Sequence, residues 1–432
     1  MTQQQQKLFI SLARNGSTLL RFPTLSFELD SILPTRMSEP DLSTTLAGIP
    51  LQTCLYNASG PRSGNATVLH KIAASPATGA VLSKSATLAA QAGNPQPRIH
   101  HDTYASFNSE GLPNNGIDYY LAAENIDEIL SGCNNDGNNA KPYIVSLSGK
   151  TLADNLKMLQ AVADAKNPKI AAIELNLACP NIIGKPIIAY DVAQMRDILQ
   201  QVSKVVQKNG TALPPLGIKL APYLDFVQLG QVAALINEYK NVVKYIVTIN
   251  TLGNALCLDM MAQQPFISSN AGFAGMSGPA VHYTALANVR QLRNLVDASV
   301  DIVGVGGVST GEQAAAMLLA GATAVQLGTV HWKEGPACFE RIAAELRAYM
   351  KQHGFANIRE LQAAWKLWSK QGAEASRLAK KSSTAVTGKE ENSTTASNSS
   401  KNDNNLFVML SAILAALVAV LLADKLGIVS LP

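Results

Sequence analysis

Charge is scarce in this chain: 15% of its 432 residues are Asp, Glu, Lys or Arg, 47% are hydrophobic, and the formal balance at pH 7 is +4. So apolar a chain can bury enough surface to offset the entropy of ordering it, which excludes a disordered protein. With aromatics at 6% and no basic stripe interleaved with them, nucleic-acid binding has no footing. Cysteine is thin as well. Cys54, Cys133, Cys179, Cys257 and Cys338 are odd in number, scattered and without C-x-x-C or Cys/His spacing, which points to reduced thiols in a cytosol-like compartment and argues against a zinc site or any other metal. Acid is absent before Glu28, and the leader over 1–40 carries Lys7, Arg14 and Arg21. Its apolar run is too short and interrupted for a secretory signal; a loose extension is the preferred reading, with a mitochondrial transit peptide second.

What the chain does have is a repeating pattern. Short apolar runs, each followed by a segment of helical period, occur at Cys54 to Gly60, Ala80 to Ser83, Tyr143 to Gly149, Ala171 to Ala178, Leu216 to Ala221, Tyr245 to Thr251, Asp301 to Gly307 and Ala324 to Thr329. That alternation is what an α/β protein of the (β/α)8 TIM barrel type requires, and about 280 residues is its usual size. A doubly wound open sheet is the competing parse. It ranks second because the last two runs end in Gly-Val-Gly-Gly and Gln-Leu-Gly-Thr, as expected of a phosphate cradle after barrel strands seven and eight.

The barrel is read over 41–370, closing with a helical stretch that holds Trp365 and Trp368. A polar linker follows over 371–405, at its barest from Ser382 to Asn405, where Ser, Thr, Asn and Lys leave almost nothing to bury. Residues 406–423 are then an apolar or small-residue run, long enough to span a bilayer core as a single transmembrane helix; a buried C-terminal helix is the alternative. Hung on a flexible tether with only 424–432 beyond it, the run reads as a tail anchor that leaves the barrel facing the cytosol. The balanced pair Asp424 and Lys425 does not say which membrane.

If the barrel parse holds, function sits at the carboxyl ends of its strands. The stretch from Ile173 to Tyr190 is the most informative. Its apolar run ends at Ala178, and Cys-Pro-Asn then turns the backbone out of the sheet, holding Cys179 between the amides of Asn176 and Asn181. Uncharged amides beside a thiol suit a flat polar heterocycle, although a buried cysteine at a tight turn is the plain alternative. Other ends offer Asn57-Ala58-Ser59-Gly60, Ser83-Lys84-Ser85, Lys219 and Asn250-Thr251. Ser277-Gly278, Gly306-Gly307 and Gly328-Thr329 bring backbone N–H groups and hydroxyls suited to a phosphate dianion. Flavin mononucleotide (FMN) accounts for the whole set, with its phosphate at strands seven and eight, Lys219 near the ring's electron-rich edge, and Cys179 across the substrate as base.

Several longer motifs carry a resemblance. Asn176-Leu-Ala-Cys-Pro-Asn181 with Gly184-Lys-Pro and Ala189-Tyr-Asp191, Asn108-Ser-Glu-Gly-Leu-Pro-Asn114, Gly93-Asn-Pro-Gln-Pro-Arg98 and Thr284-Ala-Leu-Ala-Asn-Val are similar to dihydroorotate dehydrogenases, specifically the soluble class 1A branch of fumarate-dependent homodimers in pyrimidine (UMP) synthesis. The likeness spans roughly Asp41 to Trp365 and leaves out leader, linker and apolar tail. It implies an FMN flavoprotein in which Cys179 removes the C5 proton of dihydroorotate while hydride leaves C6. It implies substrate contacts at Lys84, Asn108, Gly111, Leu112, Asn176, Asn181, Asn250 and Thr251. It implies cofactor contacts at Ala58, Ser59, Gly60, Lys84, Ser85, Asn176, Lys219, Ile249, Thr251, Gly278, Gly306, Gly307, Gly328 and Thr329.

Two departures from the family pattern stand out. Glu110 replaces the usual methionine; the expectation is that its side chain faces out while its backbone N–H serves the site, the alternative being an inward carboxylate that lowers affinity for an anionic substrate by like-charge repulsion. Ala178 replaces the usual serine, removing a hydroxyl beside the base. Gly132 to Lys141 reads as a polar insertion on the barrel rim. Fumarate is the expected acceptor, since membrane-bound quinone-reducing members use serine as base; quinone- or NAD-linked enzymes and a membrane-tethered, non-catalytic flavin barrel are the alternatives.

Overall fold

A computed structural model describes residues 38–133, 141–178 and 187–377. The expected leader, for its first 37 residues, the linker from 378, the apolar run 406–423, the tail 424–432, and Cys179 and Asn181 lie outside the described residues. So do 134–140 of the expected insertion. The chain divides into two units, Met1–Trp365 and Lys366–Pro432. Of the second, 366–377 is described, helical from 370 onward. Among the described residues no helix is long and apolar enough to cross a membrane.

The first unit is built on an 8-stranded parallel sheet. Its strands are β1 Leu55–Asn57, β2 Val81–Leu82, β3 Tyr143–Leu147, β4 Ile170–Asn176, β5 Leu216–Lys219, β6 Val243–Thr248, β7 Asp301–Val305 and β8 Ala324–Leu327. Each falls within or overlaps an apolar run read from the sequence. The hydrogen-bonded order is β1-β8-β7-β6-β5-β4-β3-β2, and helices such as Leu152–Ala165, Val192–Asn209 and His282–Leu295 fill the crossovers. The ends of that order are joined by Gly79 N–H donating to the Leu55 carbonyl at 2.7 Å. Beside it, the Asn57 side chain accepts from Leu82 N–H at 2.9 Å and donates to the Leu82 carbonyl at 2.7 Å. The amide of Asn57 thus replaces a peptide unit that the two-residue β2 is too short to meet, and the sheet closes as a barrel.

Strand residues alternate between two cores, as the period of two demands. Leu55, Val145, Ile173, Ile218, Ile246, Ile302 and Val325 face the helices. Tyr56, Leu82, Ile144, Ala172, Tyr245, Val247, Val303 and Ala324 fill the barrel interior. Being buried on both sides, the strands read in sequence as continuous apolar runs. Gly217 makes room for Tyr245, whose ring lies 2.2 Å from where a Cβ at Gly217 would stand. A hairpin of Thr44–Leu46 and Ile49–Leu51 adds Leu46 and Leu51 to the interior core and binds Asp301 at the start of β7 through Ala47 N–H, sealing the amino-terminal end. The described ends of the insertion lie on that same side, before β3, where Lys141 Nζ donates to the carbonyls of Ala73 and Ser75 and to Thr78 Oγ1.

A second, antiparallel sheet, not anticipated from sequence, comes from the loops after β2 and β6. Its order is Leu252–Leu256, Phe273–Ser277, Ser106–Asn108, Ile99–His101. Ser277-Gly278 therefore leave this sheet, not a barrel strand as the strand-end reading had it, and Asn108 enters the site from the neighbouring strand.

Candidate active site

The carboxyl ends of the barrel strands and the antiparallel sheet enclose a cavity of about 260 Å³. At one end its wall is backbone. Gly307 has φ +67°, and a Cβ there would lie 2.7 Å from the Gly278 carbonyl oxygen and 2.8 Å from His282 Cβ; at Gly306 it would lie 2.6 Å from Ala285 Cβ. Only glycine fits, so peptide groups are laid bare to the cavity. Thr329 Oγ1 donates to Ser277 Oγ at 3.0 Å across the same corner. His331 also lines it, packed against Phe339, and burial, with help from the Arg62 charge, pushes its imidazole down to about 4.

The middle of the cavity rests on a polar network inside the barrel. Lys219 Nζ, on β5, donates to Gln326 Oε1 at 3.4 Å and stands 3.8 Å from Glu174 Oε1. Gln326 Nε2 lies 2.6 Å from Glu174 Oε2 and 3.2 Å from Tyr56 Oη. Glu174 has no exposure at all. Burial raises its carboxyl and lowers the Lys219 ammonium, and each partner partly offsets the other's shift. Lys219 and Gln326 reach the cavity wall, with Glu174 behind them.

A chain of small polar groups runs along the mouth. Ser59 Oγ accepts from Ser85 N–H at 2.7 Å and meets Ser85 Oγ at 3.0 Å. Asn176 Nδ2 donates to Ser85 Oγ at 3.4 Å, and Asn250 Nδ2 donates to Asn176 Oδ1 at 3.2 Å. Asn176 Oδ1 also accepts from Ala178 N–H, so the last described residue before Cys179 is itself held. The buried hydroxyl of Thr251 has no hydrogen-bond partner among the described residues, an acceptor and donor left for a ligand.

At the far end the wall is charged, and here the expectation for Glu110 fails. Its side chain faces in: the residue is 7% exposed, lines the cavity, and pairs with Lys84 Nζ at 3.4 Å and Arg98 Nε at 3.2 Å. The two cations account for this, because a carboxylate between a lysine and an arginine is better satisfied inward than its residue type alone would suggest.

All the cofactor positions inferred from the sequence line this one cavity, and so do Lys84, Asn108, Leu112, Asn176, Asn250 and Thr251 among the substrate positions. Gly111 stands between two wall residues, Glu110 and Leu112, without lining the wall itself. The sequence reading missed Gln326, although it lies in the Gln-Leu-Gly-Thr run and, two residues from the inward-facing Ala324, falls on the interior face by period alone. It gave no role to Glu174, Arg98 or the segment from His331 to Glu334.

The fold and site define a (β/α)8 barrel with a glycine-walled corner for phosphate and an amide-lined mouth for a flat polar ligand. Residues 41–350 match the sequence profile described as Dihydroorotate dehydrogenase, and the chain belongs to that family. It is 39% identical over 319 residues to a protein of Lactococcus lactis subsp. cremoris named Dihydroorotate dehydrogenase A (fumarate), covering 73% of this chain and 96% of that one. It is 37% identical over 324 residues to Dihydroorotate dehydrogenase (fumarate) of Kluyveromyces lactis, covering 75% and 98%. In fold it is similar to a crystal structure of DHODH from Eimeria tenella in complex with ferulenol, with a TM-score of 0.61, 21% identity, and 77% and 91% of the two chains covered.

FMN is the cofactor of this family, and the residues present fit it. The bare peptide groups at Gly306 and Gly307 suit a phosphate, and the Thr251 hydroxyl, without a hydrogen-bond partner among the described residues, and the Lys219 ammonium suit a ring edge that accepts hydrogen bonds.

Proposed function

We propose that this protein oxidises dihydroorotate to orotate, with fumarate taking up the electrons. What carries the reading is one cavity walled by Lys219, Asn176, Asn250, Thr251 and the glycine corner, in a chain 39% identical to a protein named for dihydroorotate and fumarate. Gly278, Gly306, Gly307, Gly328 and Thr329 would hold the phosphate of FMN, and Ala58, Ser59, Gly60, Ser85 and Ile249 its ring. The chemistry that FMN supplies when bound is acceptance of the hydride leaving C6 and its later release to the acceptor. Asn108, Asn176, Asn181, Asn250 and Thr251, with Lys84, Gly111 and Leu112, orient the substrate ring and carboxylate. Lys219, charge-balanced by Glu174, would offset the negative charge that reduction builds on the ring. Cys179 takes the C5 proton; with an unperturbed pKa of about 8.5 a thiol is a more accessible base than a serine hydroxyl. Ala178 brings no hydroxyl to that transfer.

The test is anaerobic addition of dihydroorotate to the yellow protein. Bleaching that fumarate reverses supports the reading; reversal by a quinone or by NAD alone would replace the acceptor. Cys179→Ala should keep its colour and lose reduction, and unchanged reduction would remove Cys179 from its role. A flavin-loaded protein that fails to restore growth without uracil in cells lacking the enzyme would favour a non-catalytic scaffold.

Membrane attachment through 406–423 with the barrel in the cytosol belongs to the same proposal and is supported by the apolar run itself. Comparing the location of tagged protein with and without residues 406–432 tests it. A homodimer is supported by the resemblance to class 1A, and its test is the mass of the protein in solution.

A further inference from the structure

Glu110 brings a carboxylate into a cavity whose substrate is an anion, and its surroundings show what that charge does. Its Oε2 pairs with Lys84 Nζ at 3.4 Å. Its Oε1 stands 3.2 Å from Arg98 Nε without the alignment of a hydrogen bond, and neither of these two atoms has a hydrogen-bond partner among the described residues. The contact is charge against charge, without hydrogen-bond geometry.

The carboxylate is not what shapes the loop. Asn94 N–H donates to the Glu110 carbonyl at 2.9 Å, and Asn94 Nδ2 donates to the Ser109 carbonyl at 2.9 Å. Arg98 is fixed separately, with Nη1 donating to the carbonyls of Ala92 at 2.8 Å and Asn94 at 3.1 Å. These contacts all use backbone carbonyls, so a neutral side chain at 110 leaves them in place. What the carboxylate adds is one negative charge between two positive ones.

We propose that Glu110 is the residue that sets which ligand charge the pocket accepts. By offsetting Lys84 and Arg98 it favours singly charged dihydroorotate and orotate over doubly charged dicarboxylates. This inference rests on the reading given under Proposed function. With an effective dielectric of about 20 and a separation of about 10 Å, one unit of repulsion corresponds to roughly a tenfold change in affinity for each unit of ligand charge. Glu110 therefore discriminates between a monoanion substrate and a dianion acceptor that share the cavity.

The test is a charge ladder on the flavin-loaded protein, with uracil, orotate and fumarate as neutral, singly and doubly charged probes, and binding read by calorimetry or by the flavin spectrum. In Glu110→Gln, uracil affinity should stay the same, orotate affinity rise about tenfold and fumarate affinity about a hundredfold. Glu110→Met, which removes the same charge in a different shape, should give the same ladder, and Glu110→Asp should restore the original one. A shift of one common factor across the three probes, or none, overturns the inference and leaves the proposed function standing. Binding of none of the probes by any of the proteins overturns both.

Discussion

At the phosphate corner the cavity wall is peptide backbone exposed by glycine, and a carbon added at Gly306 or Gly307 would collide with atoms less than 3 Å away. At the opposite end the wall is Lys84 and Glu110, long side chains paired by charge, with Arg98 behind them. One end is set by shape and tolerates no volume; the other is set by electrostatics and tolerates volume but not a change of sign. Gly306-Gly307 and Gly328-Thr329 of the first follow successive barrel strands, whereas the second is assembled by the loop after β2 and the antiparallel sheet. A cofactor that stays bound suits a rigid corner, and ligands that exchange suit an adjustable one.

The largest test of this contrast is Gly307→Val. At φ +67°, with the Gly278 carbonyl oxygen 2.7 Å from the new Cβ, a β-branched side chain cannot be seated, and the purified protein should come out colourless while retaining its helical circular dichroism. Next comes Lys219→Met, which strands Glu174 as an uncompensated buried charge and should cost about 3–5 kcal/mol in denaturant unfolding. Adding Glu174→Gln should recover most of that loss, since the pair acts as a unit.

The third test uses pH. His331 titrates near 4 when folded and near 6.5 when free, so the unfolded chain binds the extra proton. Its contribution is complete above 6.5 and is lost as pH falls from there to about 4, which amounts to about 3 kcal/mol. His331→Asn should flatten that part of the acid limb in thermal melts. The smallest effect is expected for Asn250→Ala: losing one hydrogen bond to Asn176 should weaken orotate binding roughly three- to tenfold and leave flavin content unchanged.

The barrel was legible in the sequence because a parallel strand buried on both faces is a plain apolar run, and the glycine corner because Gly306-Gly307 and Gly328-Thr329 close two successive runs. The antiparallel sheet was not. Its strands are short and mixed in composition, and their register depends on partners such as Ser277 and Ser106, which lie 171 residues apart in the chain. The inward turn of Glu110 was hidden for the same reason. Residue type predicts an exposed carboxylate, and two cations from other parts of the chain override it. Lys219 was placed from the sequence, but its counter-charge was not, because Glu174 looks like a solvent-facing break in an apolar run until the barrel closes around it.

Asn57 gives the cylinder its one unequal seam. Elsewhere neighbouring staves share a ladder of peptide bonds, but between the first and second the strands are stitched by a single backbone contact and one carboxamide borrowed from a side chain, with the Ser59–Ser85 bonds beyond their ends. A hoop yields where it is least stitched, so breathing of the barrel should start there, with the amide of Leu82 exchanging with deuterium before those of β4 or β6. The same seam lies between Ser59 and Ser85, so that any such opening would be felt first at the rim where the isoalloxazine is expected to lie.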